Sequence, residues 1–116
     1  MNKIGKKLFQ AWLCSKSGLR YASQEEMAIK LEIGALLVLS PIAFFVTSIT
    51  LERITLIGSL TIILIVELLN TAIEAAVDRV GKESHELSKK AKDIGSAAVF
   101  VSICLAVYIW ASLIIL

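Results

Sequence analysis

The sequence predicts an all-α membrane protein, with an amphipathic helix on the membrane surface followed by three transmembrane helices. Three observations carry this reading. Hydrophobic residues make up 57% of the 116-residue chain and mean hydropathy is +0.79, more apolar surface than so short a chain can bury in a core of its own. Long apolar stretches occupy 33–51, 54–80 and 94–116, each near or above the roughly 20 residues that cross a bilayer. Of the twelve Lys and Arg residues, six precede the first stretch and five fall in 79–93, leaving Arg53 alone between the first two. Basic residues gather on the cytoplasmic side, so the N-terminus and the 79–93 loop are expected in the cytoplasm. The whole of 1–116 reads as one membrane-embedded domain.

Residues about 2–24 read as the surface helix. Ile4, Leu8, Phe9, Trp12 and Leu13 recur at helical spacing, and Lys3, Lys6, Lys7, Lys16 and Arg20 supply the basic part. Such a helix lies with Trp and Leu toward the acyl boundary and its cations toward anionic headgroups. The apolar residues are interleaved with polar ones, so the segment does not read as a signal peptide. Gly18 and Ser23 are candidate points for a bend or an end. The nineteen uncharged residues 33–51 form the first span, roughly 28 Å at the helical rise. Pro41 lies inside it as a candidate kink, and Glu52 and Arg53 are expected as a short turn.

The second span begins near residue 54. Only thirteen uncharged residues precede Glu67, too few to cross alone, so the span carries Glu67 within it or at its rim. Glu67, Asn70, Glu74 and Asp78 follow at steps of three, four and four, which places them on one helical face. Carboxylates at membrane depth are costly and mark functional sites. Gly81 is a plausible stop, Ser84 or Ser88 a plausible start for the next helix. The third span, 94–116, opens with Gly95-Ser96-Ala97-Ala98, small enough for another helix to approach closely. Tyr108 and Trp110 suit the far interface.

The acids Glu26, Glu32, Glu74, Asp78 and Asp93 thus share one membrane face with Lys92, and Glu67 lies just below. Such a set suits a metal–polyphosphate ligand, because Mg²⁺ is held by one or two carboxylates plus substrate phosphates and lysines balance phosphate charge. Glu67 is the candidate general base toward a lipid hydroxyl, with Asn70 as an orienting group. One of Glu25 and Glu26 is expected to be merely solvated. The chain has no Walker A loop (Val80-Gly81-Lys82-Glu83 lacks the upstream Gly and the following Ser or Thr), no GxGxxG and no zinc motif. Nothing indicates a nucleic-acid partner. Cys14 and Cys104 have no metal-ligand spacing and read as packing residues; His85 reads as a polar loop residue.

The run 66–79, Val-Glu-Leu-Leu-Asn-Thr-Ala-Ile-Glu-Ala-Ala-Val-Asp-Arg, resembles the signature of the prokaryotic diacylglycerol kinase family. His85-Glu86-Leu87-Ser88 and the run 91–99 resemble its second block, and Gly18-Leu19-Arg20 and the Glu26…Glu32 pair fall at its spacing. The resemblance covers nearly the whole chain. It implies a homotrimeric inner-membrane enzyme that transfers the γ-phosphate of MgATP to diacylglycerol, giving phosphatidic acid, with sites formed between neighbouring protomers. By position, Glu67 would be the proton acceptor and Glu26 and Glu74 the metal ligands. Lys7, Cys14, Glu83, Ser84, His85, Lys92 and Asp93 would join Glu26 and Glu74 around ATP. Lys7, Arg20, Glu32, Glu67, Ser96 and Trp110 would lie near the lipid, with Asn70 and Asp78 in support. Lys7 stands where the family has a basic Arg, and Cys14 where it has an aromatic residue. Undecaprenol kinases of the same family are the nearest alternative; Gly95-Ser96-Ala97-Ala98 favours the diacylglycerol type of Gram-negative bacteria. A small proton-coupled exporter would more often have four spans and little cytoplasmic acid, and a non-enzymatic adaptor would leave the Glu67 stripe without a purpose.

Overall fold

The structure, a computed structural model, describes residues 2–81 and 86–115. Four helices follow in chain order: α1 (Lys3–Glu25), α2 (Met27–Val46), α3 (Thr50–Val80) and α4 (Glu86–Ile115). The last three are long and apolar enough to cross a membrane, so the chain is a helical membrane protein. Among the described residues there is no strand.

α1 starts where Asn2 caps it. The Asn2 side-chain oxygen accepts the Gly5 N–H at 2.7 Å, satisfying one of the helix's unpaired donors. The helix runs straight through the two expected break points. Gly18 stays helical, and Ser23 Oγ donates to the Arg20 carbonyl at 3.0 Å, a bond made inside the helix and not an end to it. Only Ala22 near its C-terminus is buried. Ile4 and Trp12 remain 71% and 57% exposed, the apolar side an interfacial helix presents to lipid. Phe9 stacks on Trp12 at 6.2 Å between ring centroids, and Lys16 Nζ lies 5.3 Å from the Trp12 ring; cation–π contact of this kind keeps the charge beside the apolar face.

A single extended residue, Glu26, turns α1 into α2. α2 therefore begins at Met27, several residues before the uncharged run, and Pro41 sits inside it without ending it. The turn to α3 lies at 47–49, upstream of the expected Glu52–Arg53. Side chains explain the shift. Thr47 Oγ1 accepts the Ile49 N–H at 3.1 Å and donates to Glu52 Oε1 at 2.8 Å. Arg53 reaches back from the first turn of α3: its Nε donates to the Thr47 carbonyl at 2.8 Å and its Nη2 to the Phe44 carbonyl at 3.2 Å. These are among the carbonyls that the end of α2 leaves without helical partners.

α3 and α4 pack on each other, and α2 packs on α3. Leu56, Leu60 and Ile63 of α3 and Gly95, Ser102 and Ala106 of α4 are buried. Small α4 residues let the helices approach closely, as the sequence around Gly95 led us to expect. At the end far from Glu67, Trp110 Nε1 donates to the Leu56 carbonyl at 3.1 Å and to Ser59 Oγ at 3.2 Å. Cys14 and Cys104, expected as packing residues, are both exposed free thiols on this chain. The reason is position: Cys14 sits on the projecting α1, and Cys104 on the face of α4 turned away from α3.

Candidate active site

α3 builds the site. Its buried apolar face, Leu56, Leu60 and Ile63, continues at steps of four and three into Glu67, Asn70 and Glu74, each half-buried, and then into exposed Asp78. The packing stripe of the apolar half thus becomes the acidic stripe of the polar half. These side chains meet α2 and α4. Glu67 lies within electrostatic reach of Glu26, Glu32 and Glu74. Asp78 Oδ1 is 2.6 Å from Lys92 Nζ, and Lys92 is also within reach of Glu74.

The corner between α1 and α2 brings in Glu26. Its backbone is extended, with φ −119° and ψ 117°, while its N–H still donates to the Ala22 carbonyl at 2.9 Å. That geometry leaves Glu26 half-buried and Glu25 exposed, so the solvated member of the pair is Glu25. Further along α2, Glu32 Oε2 is buried without a hydrogen-bond partner. Asn70 Nδ2 donates to Glu74 Oε1 at 3.2 Å, while Asn70 Oδ1 is buried and unpartnered. It presses on the α4 backbone at Gly95, where an added Cβ would overlap it.

Four carboxylates gathered in this way repel one another, and the face calls for positive charge. Among the described residues no three His, Cys, Asp or Glu side chains are arranged to hold a metal by themselves. The face suits an ion whose remaining ligands come from a phosphate chain, which is how Mg²⁺ is usually bound. At the depth of Leu68 an apolar groove of about 490 Å³ runs between α1 and α3, lined by residues that include Gly18, Leu19, Ala22, Leu68 and Ala72.

One chain does not bring every expected residue to this face. Lys7, Cys14 and Arg20 are exposed on α1; Lys7 lies about 22 Å along the helix from Ala22, where α1 is buried. Asp93 is exposed and paired with Lys89 at 2.7 Å. Ser96 is exposed beside buried Gly95, and Trp110 is bonded to α3 at the opposite end. Glu83, Ser84 and His85 lie outside the described residues. The residue that sequence reasoning missed is Gly95 as the neighbour of Asn70. Its only signal was the run of small residues, which announces a close crossing without naming what crosses.

The model of the family described as prokaryotic diacylglycerol kinase matches residues 13–114. The diacylglycerol kinase of Escherichia coli K12 is 48% identical over 96 residues, covering 83% of this chain and 79% of that protein. The diacylglycerol kinase of Haemophilus influenzae is 42% identical over 96 residues, covering 83% and 81%. That of Pseudomonas aeruginosa is 42% identical over 110 residues, covering 95% and 89%. A match of this extent, on a chain whose acidic stripe lies where three apolar helices meet their polar rim, shows that the chain belongs to the prokaryotic diacylglycerol kinase family.

Proposed function

We propose that this protein phosphorylates diacylglycerol at the expense of ATP, giving phosphatidic acid and ADP. The observation that carries the reading is the position of Glu67. It is a half-buried carboxylate toward the polar end of a membrane helix, flanked by Glu26, Glu32 and Glu74, in a chain of this family. Glu67 accepts the proton of the lipid hydroxyl as that oxygen forms its bond to the γ-phosphorus and the bond from phosphorus to the β–γ bridging oxygen breaks. Glu26 and Glu74 are the carboxylates to which the family resemblance assigns Mg²⁺ beside the phosphates. The ion, when bound, draws off charge from the transferring phosphoryl group. Lys92, between Asp78 and Glu74, supplies a cation for the nucleotide. The apolar groove at the depth of Leu68 suits an acyl chain whose hydroxyl end stands at the rim.

The same reading covers the outward-facing residues. Lys7, Cys14, Arg20 and Ser96 are exposed on this chain, and the Asp93 side chain is exposed as well. The family resemblance implies a homotrimer, and exposed side chains of this kind are free to reach a neighbour's site, with Glu83, Ser84 and His85 joining the nucleotide contacts. The charge distribution supports the bacterial inner membrane, with the N-terminus and the 79–93 loop cytoplasmic. Phosphate transfer from labelled MgATP in mixed micelles, with diacylglycerol and undecaprenol offered together, tests the proposal. Phosphatidic acid is the expected product; undecaprenyl phosphate would overturn the substrate, and no product from folded protein would overturn the activity.

A further inference from the structure

We propose that Gly95 and Asn70 form a positioning pair that sets the direction of the Glu74 carboxylate, so that α4 helps to aim a metal-holding side chain carried by α3. The inference rests on the reading of Glu74 as a metal-holding residue. It starts from an anomaly. Asn70 Oδ1 is buried with no hydrogen-bond partner, and native structures seldom leave a buried acceptor in that state. The amide is not free to turn over. Its Nδ2 donates to Glu74 Oε1 at 3.2 Å, and the reverse orientation would set two acceptors face to face.

Only glycine at position 95 leaves space for this arrangement. A Cβ there would overlap Asn70 Oδ1 and lie 3.2 Å from Asn70 Cγ, whereas one added at Gly18, Gly34 or Gly58 would meet nothing within 4 Å. The hydrogen that stands in place of the Gly95 side chain is directed at Oδ1, a weak Cα–H contact of the kind found where helices cross closely. The amide is therefore held on one side by the α4 backbone and on the other by Glu74. It occupies one carboxylate oxygen of Glu74 and leaves the second for an ion. Residues that orient metal ligands in this way are worth about 10–100-fold in metal affinity.

The test is binding of Mn²⁺ to the purified protein in micelles with a non-hydrolysable ATP analogue, followed by the electron paramagnetic resonance signal of the free ion. No turnover is needed. Asn70→Ala is expected to raise the Mn²⁺ dissociation constant about tenfold, and Gly95→Ala by a similar factor. In the Asn70→Ala background Gly95→Ala should add nothing, because the group it would strike is gone. Wild-type affinity in Asn70→Ala, or an equal loss from Gly95→Ala in both backgrounds, would overturn the pair. Asn70→Ala removes atoms and creates no clash, so it decides the matter even if Gly95→Ala fails to fold. Glu74→Gln separates the two levels. If it weakens Mn²⁺ binding and Asn70→Ala does not, the pair alone falls; if it binds Mn²⁺ as the wild type does, the metal reading of Glu74 falls and takes the pair with it.

Discussion

Replacing Trp110 by Phe separates two roles for that residue. The family resemblance implies a lipid contact, whereas the structure ties the indole to α3. Trp110 Nε1 donates to the Leu56 carbonyl at 3.1 Å and to Ser59 Oγ at 3.2 Å, and both of those residues are buried. Phe keeps an aromatic ring and removes the donor. The Leu56 carbonyl still receives Ser59 Oγ at 2.7 Å, so the loss is that of one hydrogen bond. That is about 0.5–1.5 kcal/mol, and interhelical bonds within membranes average about 0.6 kcal/mol. We expect a loss near 1 kcal/mol in SDS-driven unfolding from mixed micelles. The loss should shrink in a Ser59→Ala background, where one of the two acceptors is gone. Leu56 precedes Glu67 by eleven residues, about 16 Å along the helix axis, so kcat and the KM for diacylglycerol should not move. Unchanged stability together with a raised KM for the lipid would refute this reasoning and restore the lipid contact.

Three other outcomes follow from the geometry. Glu67→Gln should leave the protein folded and cut phosphoryl transfer by about 10²–10⁴, or about 3–5 kcal/mol of barrier; near-normal turnover would remove the base assignment. Arg53→Ala should destabilise the α2–α3 turn by about 1.5–3 kcal/mol, because two carbonyls lose a charged donor, and Lys should restore only part of that since it lacks the fork geometry; thermal inactivation in micelles reads both. Mixing Glu67→Gln with Asp93→Asn protein should recover activity if Asp93, which is exposed and paired with Lys89, serves a neighbour's site, whereas mixing Glu67→Gln with Glu26→Gln should not. The opposite pattern would mean that Glu26 and Glu67 serve different sites.

The acidic stripe was legible because helical spacing alone puts Glu67, Asn70, Glu74 and Asp78 on one face, whatever packs against them. The helix ends were less so. Uncharged runs mark what lipid tolerates, not where a helix begins, so α2 starts at Met27 and α3 at Thr50, with charged residues inside their first turns. Glu52 and Arg53 looked like a turn because they are charged. They belong to the helix because Thr47 and the open carbonyls at the end of α2 give them partners. The choice of Glu26 over Glu25 depends on one residue's extended backbone, which composition does not encode. The contact between Gly95 and Asn70 depends on the relative rotation of two helices, which no single-helix pattern contains.

The way α3 divides its single packing face explains why a carboxylate site can exist in so apolar a chain. At the Leu56 end the face is filled by side chains and needs nothing polar beyond the Ser59 and Trp110 bonds. At the Glu74 end the same face still meets α2 and α4, so its acids are held by neighbours and spared from lipid. An isolated charge there would be expelled or neutralised. A charge backed by Asn70 and fronted by Lys92 can be kept half-buried, near enough to water for a nucleotide to reach and deep enough for a lipid hydroxyl to approach. Moving the stripe one turn toward Leu56 would bury the acids beyond the reach of phosphate. Moving it one turn toward Gly81 would place Glu67 in water, away from the lipid. On the proposed reading, the register of the stripe on α3 is therefore the quantity that couples the two substrates.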